Sequence, residues 1–211
     1  MKIGFIGAGN IGSNAARLFV EAGHEVLLSN SRGPETLDAL AAELGDNASA
    51  GTVDQARDFG DVVFVTIPLG KYKELPVEGW EGKIVIDTNN YYPDRDGNIP
   101  ELDSDETTSS ELLENYLVGA RIVKGFNTIW FEHLKTQGDT SLPLEERRAI
   151  FIASDDSQAK ETVAKLIEEI GYAAVDTGFL HEGGKSQQPD TPIYGKELTA
   201  AQAAKVLTAT A

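Results

Sequence analysis

Residues Met1 to Gly12 read MKIGFIGAGNIG, and the fold turns on how that stretch is parsed. Ile3, Phe5 and Ile6 make a short apolar strand that runs into Gly7, Gly9 and Gly12. Beyond it Ile11, Ala15, Ala16, Leu18, Phe19 and Ala22 recur at helical spacing. Strand, glycine turn and helix, in that order, are the setting in which a GxGxxG pattern carries meaning. Gly7 makes the tight turn, Gly9 lets a pyrophosphate approach the backbone, and Gly12 lets the helix lie close to the strand. Free N–H groups at the helix start, backed by the macrodipole, would face the phosphates. The expected cradle is therefore Gly7, Ala8, Gly9, Asn10, Ile11 and Gly12.

Working outward, Gly23 and His24 turn the chain into a second strand, Glu25 to Ser29, whose tip should meet the adenosine ribose. An acid at that place would take a ribose 2′-hydroxyl, but this chain has Asn30, Ser31, Arg32 and Gly33, with no acid before Glu35. A guanidinium and a hydroxyl can hydrogen-bond a 2′-phosphate that a carboxylate would repel. NADPH is expected over NADH. The plainer alternative is that Ser31 and Arg32 merely cap the next helix, which begins near Pro34 and carries Leu37, Leu40, Ala41 and Leu44 before Gly45.

A third strand is expected over Ala48 to Thr52, one turn of helix over Val53 to Arg57, and a buried parallel strand after Asp61 that stops at Pro68. Thr66, Ile67 and Pro68 would line the crevice where strand order reverses. Lys83 to Asp87 repeats the strand pattern and ends in Thr88, Asn89, Asn90, Tyr91, Tyr92 and Pro93, which reads as a site wall or as an ordinary Asx-rich turn. Asp94 to Asp105 reads as an exposed loop, Thr107 to Tyr116 as a helix, and Arg121 to Phe126 as a strand leading to Asn127. Strands are expected at Ala149 to Ala153 and Tyr172 to Asp176. Between them lies an amphipathic helix through Ala159, Val163, Leu166, Ile167 and Ile170. The rest reads as mostly irregular until a helix from about Thr199. The expected class is α/β, a doubly wound, mostly parallel sheet. Residues 1–150 would form the dinucleotide-binding domain, and 151–211 a small C-terminal α/β extension on the same sheet or at a dimer interface.

Composition narrows the partners. In 211 residues, 18 Lys and Arg face 34 Asp and Glu, a formal charge of −16 that repels nucleic acid and anionic membrane surfaces. The chain has no cysteine, which excludes disulfides, thiolate metal sites and thiol nucleophiles and fits a reducing cytoplasm. No secretory signal or membrane span is expected, since no apolar run approaches the roughly 18 residues a span requires.

Hydride chemistry belongs to the cofactor, so a sequence without an acid/base dyad is compatible with it. Asn127 could hold the nicotinamide carboxamide or an acceptor carbonyl through its amide. No catalytic residue is firmly assigned beyond that positioning role. Tyr91, Tyr92, Trp130 and Phe131 could stack on a flat ring or simply pack under the loops. His24 reads as structural, whereas His133 and His181 could approach the site. Asp87 could be a base, though a cap is its more ordinary role. No histidines or carboxylates show metal-ligand spacing, and no metal is expected.

Four segments, GAGNIG at 7–12, NSRG at 30–33, VTIP at 65–68 and FNTI at 126–129, resemble the F420-dependent NADP oxidoreductases and related small reductases. The resemblance implies a Rossmann domain, a homodimer, and hydride transfer between NADPH and a flat partner such as the deazaflavin coenzyme F420 or a flavin. Position by position it places Ser31 and Arg32 at the 2′-phosphate and Ile67 with Pro68 over the nicotinamide. The segment DTGFLHEGGKSQQPDTPIYG at 176–195 departs from the deazaflavin pattern, which leaves the acceptor open. Two other readings stand beside the reductase: an NADPH-binding sensor without turnover, and a reductase of a small imine or carbonyl, which would need Tyr91 or Tyr92 as proton donor.

Overall fold

The computed structural model describes residues 1–210. The elements in chain order are β1 (Lys2–Ile6), α1 (Asn10–Glu21), β2 (Glu25–Ser29), α2 (Asp38–Leu44), β3 (Ala48–Ala50), α3 (Val53–Phe59), β4 (Val62–Val65) and β5 (Ile84–Asp87). Next come α4 (Pro93–Asp96), α5 (Pro100–Asp103), α6 (Ser109–Tyr116), β6 (Arg121–Gly125), α7 (Phe131–Thr136), β7 (Ala149–Ala153), α8 (Ser157–Glu169), β8 (Ala173–Asp176), α9 (Leu180–Ser186) and α10 (Ala200–Thr210). All eight strands join one sheet in the order β3-β2-β1-β4-β5-β6-β7-β8. Every pairing is parallel except β6 with β7. This is the doubly wound α/β fold expected. The chain winds outward from β1 to β3 and returns to β4, so the crevice at the switch point opens where β1 and β4 end side by side.

Aromatic packing fixes the sheet on one face. Phe5 stacks on Phe64 at 4.7 Å between ring centroids, and Phe64 meets Phe19 at 5.5 Å and Phe126 at 5.1 Å. All four are buried, so α1 and the end of β6 are clamped onto the two strands that frame the crevice. The other face buries Trp80, Val85, Leu113 and Leu180, with α3, α6, α9 and the 3₁₀ turn at Leu69–Glu74 packed over it. Residues 150 and 151 both lie inside β7, and α10 packs Ala203 against Ala149 and Phe151 of that strand. The C-terminal part is thus continuous with the main sheet.

Some local expectations differ from what forms. Asp94 to Asp105 is not a plain loop: α4 and α5 each open on a proline, Pro93 and Pro100, whose fixed φ suits a first helical turn. Residues 53–59 make two turns rather than one, because Thr52 and Gln55 form a reciprocal capping box. The stretch expected to be irregular before Thr199 contains α9, despite Gly183 and Gly184; its fully buried Leu180 shows tertiary packing overriding weak propensity. Ser31 and Arg32 do not cap a helix, since the short 3₁₀ turn at Pro34–Leu37 starts from Gly33 without a side-chain cap. Among the described residues, no helix is long and apolar enough to cross a membrane.

Candidate active site

The glycine turn is built as its spacing requires. Gly7 has φ +106°, a conformation that favours glycine, and its N–H donates to the Ser29 carbonyl at 2.9 Å. A Cβ on Gly12 would lie 2.2 Å from the Gly7 carbonyl oxygen and 2.8 Å from Thr66 Cγ2, so helix and turn touch there. A Cβ on Gly9 would meet nothing within 4 Å. Its absence therefore serves no packing need inside the chain and leaves open space at the N-terminus of α1, where no side chain caps the free N–H groups. That cradle fits a diphosphate.

On one side of the turn lies a cavity of about 520 Å³, lined by Gly7, Ala8, Asn30, Ser31, Arg32 and Lys71 among others. Asn30 shapes its rim: Oδ1 accepts the Arg32 N–H at 2.8 Å and Nδ2 donates to Thr36 Oγ1 at 2.9 Å. Both ends of that amide are used, so Asn30 presents its neighbours rather than offering its own side chain. Lys71 is paired with Glu74 at 2.6 Å. The exposed Arg32 guanidinium, among the described residues, has no hydrogen-bond or ion-pair partner.

On the other side a cavity of about 500 Å³ shares Gly9, Thr66, Ile67 and Pro68 with the first, so one groove runs over the turn. Asn10, Ile11 and Thr66 line its near wall; Asn89, Asn90, Tyr92, Asn127, Trp130 and Tyr194 line the far wall. Phe126, with φ +63° and almost no exposure, turns the chain off β6 and aims Asn127 inward. A buried aromatic residue in that conformation is strained, and such strain gathers at functional sites. Asn127 Nδ2 donates to Asn90 Oδ1 at 3.0 Å and to the Gln187 carbonyl at 2.8 Å, whereas its buried Oδ1 has no partner. Of the two roles expected for Asn127, the amide can therefore accept from a carboxamide NH₂ but has no N–H left for an acceptor carbonyl. Asn89 is buried with neither side-chain polar atom satisfied, a cost that a bound polar group would relieve.

Other candidates fall elsewhere. Tyr91 faces away, its hydroxyl donating to Asp103 at 2.7 Å and accepting the Ile99 N–H at 2.9 Å. Asp87 is not a free base: wholly buried, it accepts from the Asn89 N–H at 2.9 Å and Ser110 Oγ at 2.6 Å and lies 3.5 Å from Lys124 Nζ. Phe131 lines the cavity, but no histidine does. His24 is buried between the N-terminus at 3.1 Å and Glu169 at 2.8 Å, His133 pairs with Glu197, and His181 with Glu111. Among the described residues, no cluster of three or more potential metal ligands occurs.

Three residues escaped sequence reasoning. Lys124 is fully buried beneath the site, donating to the Asn89 carbonyl at 2.9 Å and to Ser109 and Ser110 at 3.2 and 3.1 Å. Burial pushes its ammonium below the ordinary lysine value, against the pull of Asp87. A signal existed: Asp87 and Lys124 are register partners at the tips of adjacent parallel strands. Tyr194 and Arg95 come from segments read as irregular and lacked any pattern.

Comparison with known proteins agrees with this geometry. Residues 2–91 match the family described as NADP oxidoreductase, coenzyme F420-dependent. A crystal structure of a hypothetical protein from Sinorhizobium meliloti is 30% identical with TM-score 0.82, covering 94% of this chain and 95% of that one. A candidate F420-dependent NADP-reductase from Arthrobacter sp. FB24 shares the fold at TM-score 0.70 and 20% identity, over 100% of this chain and 91% of that one. The metalloreductase STEAP3 of Rattus norvegicus is 26% identical over 181 residues, 85% of this chain, and the chain spans about a third, 34%, of that relative's length. The glycine turn, the β2 tip and the strand that ends at Pro68 all lie within residues 2–91, and over that part the chain is similar to the F420-dependent NADP oxidoreductases.

Proposed function

We propose that this protein transfers a hydride between NADP(H) and a flat redox acceptor, a deazaflavin, a flavin or a compound of similar shape. The observation that carries the reading is the groove itself: past the glycine turn it opens into a second cavity walled by Pro68, Asn89 and Asn127. A sensor without turnover would have a sealed nicotinamide face, and this face is open. NADPH, when bound, supplies the hydride. The chain's residues hold the diphosphate at α1, the carboxamide at Asn127 and a flat ring against the half-exposed Trp130. A homodimer is part of the proposal and is read by light scattering.

The test is a panel of acceptors mixed with NADPH, with NADH run alongside. Oxidation of NADPH by none of them would remove the enzyme reading. Cofactor choice is read from Arg32→Ala. That variant is expected to raise KM for NADPH roughly tenfold or more, the worth of a lost charge-assisted contact, and to leave KM for NADH nearly unchanged. Equal changes would contradict a 2′-phosphate at the β2 tip.

A further inference from the structure

The far wall of the acceptor cavity carries a hydroxyl pair that hydride transfer to a deazaflavin or flavin has no need of. Tyr92 and Tyr194, 102 residues apart in sequence, meet hydroxyl to hydroxyl in a short hydrogen bond, and both line the cavity. Asn90 Nδ2 donates to Tyr194 Oη at 3.4 Å. If Tyr194 passes its own proton to Tyr92 and accepts from Asn90, the proton left without an internal partner is that of Tyr92. Burial and the bond to Tyr92 make the Tyr194 phenol less acidic than usual, which suits the inner member of a relay.

The surroundings hold this pair in place. The Arg95 guanidinium lies 4.8 Å from the centre of the Tyr92 ring and donates to the Asn90 carbonyl at 2.8 Å. Asp96 accepts the Tyr92 backbone N–H at 3.0 Å and the Gly70 N–H at 3.2 Å, tying the tyrosine corner to the segment that follows Pro68. Burial opposes the Asp96 charge, but the bonds from Arg95 and these two N–H groups outweigh it and hold the carboxyl below its usual range. A proton donor is thus tied through Asp96 to the segment that follows Pro68, with a cation over its ring.

We propose that Tyr92, backed by Tyr194, is the proton donor to a carbonyl oxygen of the acceptor, and that the acceptor class is a ring-conjugated dicarbonyl of the quinone type. The inference rests on the reading of function above. The hydride of NADPH bonds to one carbonyl oxygen of the quinone as its bond to the nicotinamide carbon breaks, the ring becomes aromatic, and the electron pair left on the other carbonyl oxygen takes the Tyr92 proton. The products are a hydroquinone, NADP⁺ and a tyrosinate that recovers a proton from water through Tyr194. A flat quinone also matches the exposed face of Trp130.

The experiment compares wild type, Tyr92→Phe and Tyr194→Phe with menadione and with FMN as acceptors, and adds a titration of NADPH and a thermal melt. The expected result is quinone reduction by wild type, a fall of roughly 100-fold in kcat for menadione in Tyr92→Phe, and loss of its solvent isotope effect. The fall with FMN should be far smaller, with NADPH Kd within twofold of wild type and an unchanged Tm. Tyr194→Phe should lie between. Quinone turnover that survives Tyr92→Phe overturns the assignment. NADPH oxidation by FMN without any by menadione overturns the quinone class and leaves the proposed function standing. Failure of wild type to bind NADPH in the titration removes both.

Discussion

Gly9→Val is expected to leave the melting temperature within about a degree of wild type and to weaken NADPH binding roughly 100-fold, about 2.8 kcal/mol at roughly 1.4 kcal/mol per decade. The separation of the two effects follows from the turn. Gly9 has an extended backbone, φ −78° and ψ −164°, that any residue adopts, and a Cβ there would touch no protein atom within 4 Å. The added side chain would instead fill the space at the start of α1 where a diphosphate would lie against free N–H groups. Gly12→Ala is the control with the opposite signature, since its Cβ would sit 2.2 Å from the Gly7 carbonyl oxygen and must push α1 off the turn. That variant should melt early whether or not a nucleotide is present. A fluorescence titration of NADPH and a thermal melt on both proteins decide the matter. Unchanged affinity in Gly9→Val would mean that no phosphate rests on this turn.

What the sequence disclosed and what it concealed divide along sequence distance. β1, the glycines and α1 are contiguous, and their periodicity switches from an apolar strand to a 3.6-residue helix within a dozen residues, so the cradle was legible outright. The place of Arg32 at the β2 tip was legible for the same reason, since it follows from its offset from the glycines. The far wall of the second cavity is assembled from residues at 88–95, 126–131 and 194, and no local pattern links them. Tyr91 and Tyr92 are neighbours in sequence yet face opposite ways, because Asp103 and the Ile99 N–H claim one hydroxyl while Tyr194 claims the other. Asp87 looked like a candidate base because its partners, Ser110 and Lys124, arrive from 23 and 37 positions downstream. Tertiary contacts of that span decide protonation and orientation, and these are the properties that separate a base from a buried anchor.

Lys124→Met should be the most damaging single change away from the groove, costing about 3–5 kcal/mol, the range for removing one member of a buried ion pair. Lys124 and Asp87 have side chains 1% and 0% exposed with 3.5 Å between charged atoms, and neither can reach water when its partner goes. Methionine fills much of the lysine stem's volume, so the loss would come mainly from the stranded Asp87 carboxylate, left with Ser110 Oγ and the Asn89 N–H alone. For a chain of 211 residues such a cost corresponds to a fall in Tm of roughly 6–20 °C. Asp87→Asn in the same molecule removes the stranded charge while keeping an acceptor for Ser110, and should recover part of the loss. A double variant no more stable than Lys124→Met would show that the lysine acts through packing rather than charge. The functional trace is separate: Lys124 Nζ holds the Asn89 carbonyl at 2.9 Å, so at temperatures where the variant is folded, the Asn89–Asn90 corner loses its anchor beneath the cavity. KM for NADPH should then rise severalfold in Lys124→Met and stay raised in the double variant, because neutralising Asp87 restores stability without restoring the bond to Asn89.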